Sequence, residues 1–328
     1  MIVGERSIGR DELRGVLAGL AEDGWATIEL PPAWRHDYRE LESQARRFFA
    51  RGESDKATVD IRTSDGHRGW VPTTEAGAYA DEGDRRYESF DIGRVPDPHD
   101  LVDHPLRGMN QFPNDLQGRE LQRMSALMFD RLASLAERLG DEICAELGVA
   151  PESFRRLRRE PVSQLRLIHY LAHPEEIDLR SRAAAMGAHT DYEFFTLFHQ
   201  SDVGTEALGA DGRWTRLPAD GRLVILAGDM LEVFSNGRFR SLLHRAAGSV
   251  RAGRLSIPFF VGADFDAVVR PVVGPARDGV VFGHHLMRQL ERDFPYLRSR
   301  TTSFIDVRSS GTYGERSSFE REALERKS

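Results

Sequence analysis

Cysteine and lysine are both nearly absent from this chain. Its 328 residues include one cysteine, Cys144, and two lysines, Lys56 and Lys327. A single cysteine cannot form an intramolecular disulfide, which excludes a small secreted fold held together by disulfides. Arginine carries almost all of the positive charge, and we interpret this as a coding bias that says nothing about the chemistry of the protein.

Long apolar runs are also missing. No stretch of about eighteen apolar residues occurs, which excludes an ordinary transmembrane helix. The segment MIVGERSIGRDELRG at the start of the sequence carries charged side chains where a secretory signal needs an apolar stretch. Together with the cysteine shortage, these features predict a cytoplasmic protein.

The sequence has no excess of positive charge. Its formal net charge of -7 gives no electrostatic reason to bind nucleic acid, because phosphate binding requires a basic surface. The hydrophobic fraction of 40% and the charged fraction of 30% are typical of a globular protein. We expect a small molecule as the partner, with neither nucleic acid nor a membrane, and the oligomeric state is left open.

The first half of the chain has the pattern of helices and loops. Apolar residues at helical spacing predict helices over 11–22 and 38–50, and a polar stretch follows over 52–115. From Arg119 to Leu147 an apolar residue recurs every three or four positions, which is typical of a helix packed on a core. We predict that this long helix packs outside a β-structure.

After Pro161 the pattern changes to short apolar segments separated by turn sequences such as SNGR and RAGR. Many short strands indicate a barrel or sandwich, and we predict a double-stranded β-helix, or jelly-roll, core with flanking helices. The predicted organisation is a single domain over 1–328: a helix-rich region (1–158), the jelly-roll core (161–275), and a C-terminal helix and tail (276–328). The predicted strands are 164–171, 193–200, 213–218, 222–228, 230–236, 242–247 and 254–261.

Three residues of the predicted β-rich region have the pattern of a metal site. His189 and Asp191 form an H-x-D tripeptide, and His244 follows in a later strand. Residues two apart on a strand face the same side, so both side chains of the tripeptide can point into a barrel. Two imidazoles and one carboxylate on one face of a metal favour Fe(II) and oxygen chemistry. An H-x-D tripeptide alone occurs often by chance and needs further support.

That support comes ten residues after His244. Arg254 and Ser256 are again two apart on a predicted strand and therefore share a face. The planar guanidinium of arginine matches a carboxylate with two parallel hydrogen bonds, and a serine hydroxyl can add a third. The alternative is an arginine that reaches the surface beside a core strand.

At this point the chain resembles the isopenicillin N synthase-like branch of the Fe(II)/2-oxoglutarate-dependent dioxygenases. The resemblance covers most of the chain. The segments that carry it are HRGWVP (67–72), YESFDIG (87–93), GMNQFP (108–113), the block at 203–246 and RLSIPFFVGADFDAVVRPV (254–272).

The resemblance implies a ligand set and a reaction. It implies that His189, Asp191 and His244 bind Fe(II), and that Arg254 and Ser256 bind the distal carboxylate of 2-oxoglutarate. It also implies that O2 and 2-oxoglutarate are consumed, that succinate and CO2 are released, and that a small amino-acid-like or natural-product substrate is hydroxylated. No catalytic residue beyond the metal centre is expected.

One strand extends the predicted pocket. Tyr170 matches a tyrosine of the family that contacts cosubstrate or substrate, and Arg166 shares a strand face with it. An inward Arg166 would suit an acidic group of the substrate, and a structural salt bridge is the alternative. Arg166 is therefore a candidate substrate-binding residue.

Two other functions are compatible with the same motifs. The first is an iron oxidase or cyclase of the isopenicillin N synthase type, which keeps an R-x-S motif without using 2-oxoglutarate. The second is a catalytically inactive jelly-roll that serves as a binding protein. Intact metal and Arg-Ser motifs argue against an inactive protein, and succinate production separates all three functions.

Overall fold

The structure, a computed structural model, describes residues 8–74, 87–95, 106–171, 184–247 and 253–298. Within these ranges it has β-sheets at the centre and helices around them, as predicted. The predicted C-terminal tail lies outside the described residues.

The predicted helices of the N-terminal region are confirmed. They are α1 (Arg10–Glu22), α2 (Pro32–Phe49) and the long α4 (Leu116–Glu146), with two short helices, α3 (Glu53–Lys56) and α5 (Glu152–Arg155). In α4 the predicted apolar stripe is buried, including Leu132, Leu139 and Ile143, and Phe129 packs edge-to-face on Phe259 of the main sheet. The long helix therefore covers the outside of the β-core, and its apolar stripe is core packing.

The main sheet has seven antiparallel strands in the order β1-β9-β6-β11-β4-β3-β2. Four of them come from the predicted core, and three come from the region predicted to contain helices and loops. That part of the prediction is wrong, because strands of three or four residues, and strands buried along their whole length, show little alternation of apolar and polar residues. The strands are β1 (Trp25–Ile28), β2 (Gly69–Val71), β3 (Tyr87–Gly93), β4 (Gln164–Tyr170), β6 (Phe195–Gln200), β9 (Leu223–Ala227) and β11 (Arg254–Phe260).

The second sheet has four antiparallel strands in the order β5-β10-β7-β8. Its strands are β5 (Ala184–His189), β7 (Thr205–Leu208), β8 (Trp214–Arg216) and β10 (His244–Ala247). A separate two-stranded ribbon joins β12 (Val268–Val269) to β13 (Val280–Val281). The two larger sheets line one cavity from both sides, which is the arrangement of a jelly-roll core.

One predicted strand is a helix. The segment 230–236 was expected to be extended, but Asp229–Phe234 form α6. All six residues of this helix are buried, so the apolar run has no period that separates a strand from a buried helical turn. Asp229 lies in its first turn, where a negative charge is favourable.

The C-terminal helix α7 (Phe282–Asp293) is present as predicted and is followed by a single 3-10 turn over Pro295–Leu297. Leu286 and Leu290 on this helix face the cavity between the two sheets. Among the helices of the described ranges, none is both long enough and apolar enough to cross a membrane.

A buried ion-pair network ties α3 to the main sheet. The carboxylate of Glu88 accepts hydrogen bonds from Lys56 Nζ at 2.6 Å, Trp70 Nε1 at 2.7 Å and His169 Nδ1 at 3.1 Å. Burial alone would raise the pKa of Glu88, but the hydrogen bonds from His169, Lys56 and Trp70 lower it below its usual value. One of the two lysines of the chain is therefore part of the core.

Replacing Glu88 by glutamine is expected to destabilise the fold by about 3–5 kcal/mol, because Lys56 would be left as a buried charge without a counter-charge. The free energy of unfolding from urea titration measures the effect, with the exposed Glu40→Gln as the matched control. Because the pKa of Glu88 is lowered on folding, its contribution is present at neutral pH and is lost as the pH falls through the folded-state pKa. A Glu88→Gln protein as stable as the control would contradict this role.

Candidate active site

The three predicted metal ligands meet at one side of the cavity. His189 is the last residue of β5, and His244 is the first residue of β10. These two strands are hydrogen-bonded neighbours, and their register places His244 directly opposite His189. Asp191 lies two residues beyond β5 in the loop before β6, so the loop, and not a shared strand face as predicted, brings it to the histidines.

The ligand atoms of these residues are close enough to share one metal ion. Asp191 Oδ1 lies 3.9 Å from His189 Nε2 and 3.7 Å from His244 Nε2. One ligand atom from each residue falls within 4.8 Å of the other two, and all three side chains are largely buried. Two imidazoles and one carboxylate therefore converge closely enough to hold one metal ion.

Backbone carbonyls orient both imidazole rings. His189 Nδ1 donates to Gly187 O at 2.8 Å, and His244 Nδ1 donates to Leu242 O at 3.1 Å. Because a carbonyl can only accept, each Nδ1 carries the proton and each Nε2 presents a lone pair toward Asp191. Burial and the neighbouring His244 lower the pKa of His189 to about 4, so this ring is neutral at neutral pH. The donor set therefore fits a divalent metal ion.

Thr196 orients the carboxylate of Asp191, the third ligand candidate. Its hydroxyl donates to Asp191 Oδ2 at 2.5 Å, which leaves Oδ1 as the oxygen that faces the two histidines. Thr196 lies on β6, and its side chain is buried against the cavity. It is a positioning residue for the carboxylate, because it fixes which oxygen is available to a metal.

A Thr196→Val protein is expected to bind metal about ten- to a hundredfold more weakly. Valine keeps the shape of threonine but loses the hydrogen bond to Asp191. The metal affinity is measured by competition with a chelator under anaerobic conditions. Thr215→Val, at an exposed position on β8, is the matched control. An affinity equal to that of the control would show that Thr196 does not orient the carboxylate.

A buried arginine lies in the main sheet, on the same strand as the cavity residue Ser256. The guanidinium of Arg254 is 1% exposed, and Nη1 donates to Gln200 Oε1 at 2.9 Å and to Thr205 Oγ1 at 3.3 Å. Its Nε and Nη2 have no hydrogen-bond partner among the described residues. Because an unsatisfied buried charge is costly, these two donors point to an anionic ligand that the protein itself does not supply.

Two neighbours fix the position of the Arg254 guanidinium. Tyr170 lies directly opposite Arg254 in the β4–β11 pairing, and its ring stacks on the guanidinium at 3.8 Å from the centroid. A Cβ at Gly204 would stand 2.6 Å from Arg254 Cζ, so only glycine permits this position of the guanidinium. Ser256 and Tyr170 line the same cavity as the three metal ligands. The residues present therefore fit a dicarboxylate such as 2-oxoglutarate.

The comparison with known families agrees with this geometry. The family model of the 2OG-Fe(II) oxygenase superfamily matches residues 161–263, which contain the three metal-ligand candidates and the Arg-Ser pair. Residues 161–263 are a domain of the 2OG-Fe(II) oxygenase superfamily. This oxygenase is therefore an Fe(II)/2-oxoglutarate-dependent oxidoreductase, and its cofactor and cosubstrates are Fe(II), 2-oxoglutarate and O2.

Curated relatives are similar to this oxygenase over different shares of its length. A homoarginine-6-hydroxylase of Arabidopsis thaliana is 26% identical over 276 residues, 78% of this chain and 74% of the relative. Gibberellin 20 oxidase 1 of Oryza sativa subsp. japonica is 35% identical over 158 residues, 48% of this chain and 40% of the relative.

Two solved structures share the fold at low identity. A Neurospora crassa protein, solved with alpha-KG and thymine, matches with a TM-score of 0.72 and 20% identity over 86% of this chain and 91% of the other. The rice dioxygenase for auxin oxidation matches with a TM-score of 0.66 and 22% identity, again over 86% of this chain and 90% of the other. They support the jelly-roll fold of the oxygenase.

The candidate substrate residue Arg166 faces the cavity, as the strand parity predicted. Its Nε and Nη2 donate to the two carboxylate oxygens of Asp91 at 2.7 and 2.8 Å, and Asp91 is fully buried. Burial would lower the pKa of Arg166, but Asp91 holds it above its usual value. Asp91 therefore neutralises the charge of Arg166 inside the oxygenase. A role of Arg166 in substrate binding stays a prediction.

Several cavity residues of the oxygenase were missed by sequence reasoning. Gln164 could have been found, because it continues the strand face of Arg166 by one more step of two. Glu193 and Asp293 also line the cavity, but Asp293 lies at the end of α7, and only the tertiary fold brings it to the strands. Thr196, described above, had no recognisable motif.

Proposed function

We propose that His189, Asp191 and His244 hold the Fe(II) ion, and that Arg254 and Ser256 bind the distal carboxylate of 2-oxoglutarate. Two observations carry this assignment. A converging His-Asp-His set lies in a cavity that Tyr170 and Ser256 also line. Stacked on Tyr170 is the buried guanidinium of Arg254, which has two donors without a partner among the described residues. When bound, the metal supplies O2 activation coupled to the oxidative decarboxylation of 2-oxoglutarate to succinate and CO2.

The protein contributes orientation to this reaction. Arg254 fixes one end of the cosubstrate by paired hydrogen bonds. The stack on Tyr170 holds the guanidinium in one orientation for these bonds. Tyr170 further serves as a wall of the cosubstrate site. The ring orientation of both histidines and the Thr196–Asp191 bond keep the ligand set in place before the metal arrives.

The substrate we propose is a small amino-acid-like or natural-product molecule that becomes hydroxylated. The names of the relatives support this class, since one is a homoarginine-6-hydroxylase and another is a gibberellin 20 oxidase. The cavity offers apolar walls from Phe260, Leu286 and Leu290 for a hydrocarbon portion. Polar groups at Gln164 and Arg166 can orient the remainder.

The experiment is an assay of purified protein with Fe(II), ascorbate and 2-oxoglutarate, with and without O2, over a panel of amino acids and small metabolites. We expect substrate-stimulated succinate and a product that carries one oxygen atom from oxygen-18 gas. Oxygen consumption without succinate would favour an oxidase of the isopenicillin N synthase type instead. Failure to bind iron would favour a non-catalytic binding protein.

We further propose that the protein is a single oxygenase domain of the isopenicillin N synthase-like branch and acts in the cytoplasm. The pairing of β1 with β9 supports one domain, because it joins the N-terminal region to the jelly-roll core by backbone hydrogen bonds. The sequence segments shared with the branch support its membership. The single cysteine, Cys144, is buried, which suits a reducing compartment.

A further inference from the structure

Two carboxyl groups that line the cavity are not part of the charge pairs described so far. At the proposed cofactor site, Fe(II) and Arg254 together balance Asp191 and the two carboxylates of 2-oxoglutarate. On the substrate side, Arg166 is balanced by Asp91 through two hydrogen bonds. The groups that remain on this side are the carboxyls of Glu193 and Asp293.

Asp293 has the geometry of a ligand-binding group. Leu290 lies four residues after Leu286, and Asp293 lies three residues after Leu290, so the three side chains share the cavity face of α7. The Asp293 side chain is 15% exposed. Oδ2 accepts a hydrogen bond from Tyr192 Oη at 3.2 Å, while Oδ1 is buried and has no hydrogen-bond partner within the described part of the chain. A buried carboxylate oxygen of this kind needs a donor, preferably a charged one.

Helix stability does not explain the position of Asp293. It is the last residue of α7, and a negative charge at a helix C-terminus opposes the helix dipole. Burial raises the pKa of Asp293 above its usual value, so the fold disfavours the charge there. A positively charged ligand would compensate for both effects.

The neighbouring cation does not fill this role. Arg292 Nε lies 3.5 Å from Asp293 Oδ1, but the Arg292 side chain is 50% exposed, and an exposed ion pair contributes little. Elsewhere in the cavity lining, Gln164 Nε2 is buried without a hydrogen-bond partner in the ranges that the structure describes. The cavity therefore offers an acceptor at α7 and a donor at β4.

We propose that the substrate carries a basic nitrogen, an ammonium or guanidinium group on a short aliphatic chain, and that Asp293 binds this group. The proposal rests on the proposed function, because it assigns a substrate class to the same cavity. The apolar face of Leu286 and Leu290 accommodates the aliphatic chain, and Gln164 donates to an acceptor, such as a carboxylate, at the other end of the molecule. Zwitterionic amino acids with basic side chains have this pattern of groups.

The test compares probes of nearly equal shape that differ in charge. L-Arginine is paired with L-citrulline, and L-lysine with L-norleucine, and each is titrated calorimetrically into protein loaded with Mn(II) and 2-oxoglutarate without O2. We expect the charged member of at least one pair to bind roughly tenfold or more tightly than its neutral partner, as a charge-assisted hydrogen bond would give. If neither charged probe binds more tightly than its partner, the proposal is wrong.

The variant Asp293→Asn assigns the preference to one residue. It is expected to weaken binding of the preferred charged probe on the order of tenfold to a hundredfold and to leave the neutral partner nearly unchanged. Glu291→Gln removes the same charge from the same helix at a position that does not line the cavity, and it should keep the preference. Equal weakening of both probes by Asp293→Asn would mean that Asp293 only ties α7 to Tyr192.

The same titrations separate this proposal from the proposed function. If the wild-type protein binds Mn(II) and 2-oxoglutarate but shows no preference for a cationic probe, only the substrate class is wrong. If it does not bind 2-oxoglutarate at all, the cosubstrate assignment of Arg254 fails first. Binding of 2-oxoglutarate is therefore measured before any probe is added.

Discussion

Protein carrying His189→Ala or Asp191→Ala is expected to lose tight binding of Fe(II) and at least about a thousandfold of its 2-oxoglutarate turnover. Each change removes one of the three proposed protein ligands, and two remaining ligands would hold a divalent ion poorly. Asp191 contributes more than its oxygen, because it brings the negative charge next to both His189 Nε2 and His244 Nε2. Metal content after anaerobic dialysis and succinate formation measure the two effects.

The control for this pair is His36→Ala, which removes an exposed histidine from α2. It should retain both the metal and the turnover. The replaced side chains are buried, so a substitution can also destabilise the fold. Thermal unfolding of the metal-free proteins shows whether a variant has lost its fold. Stoichiometric iron and undiminished succinate in His189→Ala would mean that the metal lies elsewhere.

Replacing Arg254 by methionine is expected to raise the dissociation constant for 2-oxoglutarate on the order of a hundredfold to a thousandfold, while metal affinity is retained. Methionine fills similar space, but it removes the charge and the two donors, Nε and Nη2, that lack partners among the described residues. Two hydrogen bonds to a charged group account for an effect of this size. Calorimetric titration of 2-oxoglutarate into Mn(II)-loaded protein measures it.

Two further variants show whether the effect belongs to the position of the guanidinium. Gly204→Ala should weaken 2-oxoglutarate binding in the same direction by about tenfold, because the added Cβ would displace Arg254 Cζ. Arg213→Met, at a side chain 87% exposed, removes an arginine far from the cavity and should have no effect. Unchanged 2-oxoglutarate affinity in Arg254→Met would overturn the cosubstrate assignment.

The metal-ligand candidates could be chosen from sequence because their residue types and spacing suit metal binding. The H-x-D tripeptide, the later histidine and the R-x-S pair are short patterns that can be found in the sequence without the fold. The reason for their meeting was only partly predictable. The opposition of His189 and His244 depends on the register between β5 and β10, and Asp191 lies in a loop beyond the strand.

The errors of prediction have physical causes too. The run at 230–236 is buried on every side, so its apolar pattern does not distinguish α6 from a strand. β1 has only four residues, and β3 is buried throughout with acidic residues among apolar ones, so neither shows a clean alternation. The sequence prediction missed the cavity residue Asp293. A long stretch of sequence separates it from the strands that line the cavity, and no local pattern marks its position.

We propose that one site binds Fe(II) and 2-oxoglutarate together. An anaerobic calorimetric titration of 2-oxoglutarate into the protein, with and without Mn(II) in place of Fe(II), tests this most directly. Glutarate, which lacks the keto oxygen, serves as the comparison ligand. We predict saturable binding of one 2-oxoglutarate per chain that strengthens when the metal is present, with weaker binding of glutarate. Metal-loaded protein that does not bind 2-oxoglutarate would contradict the account.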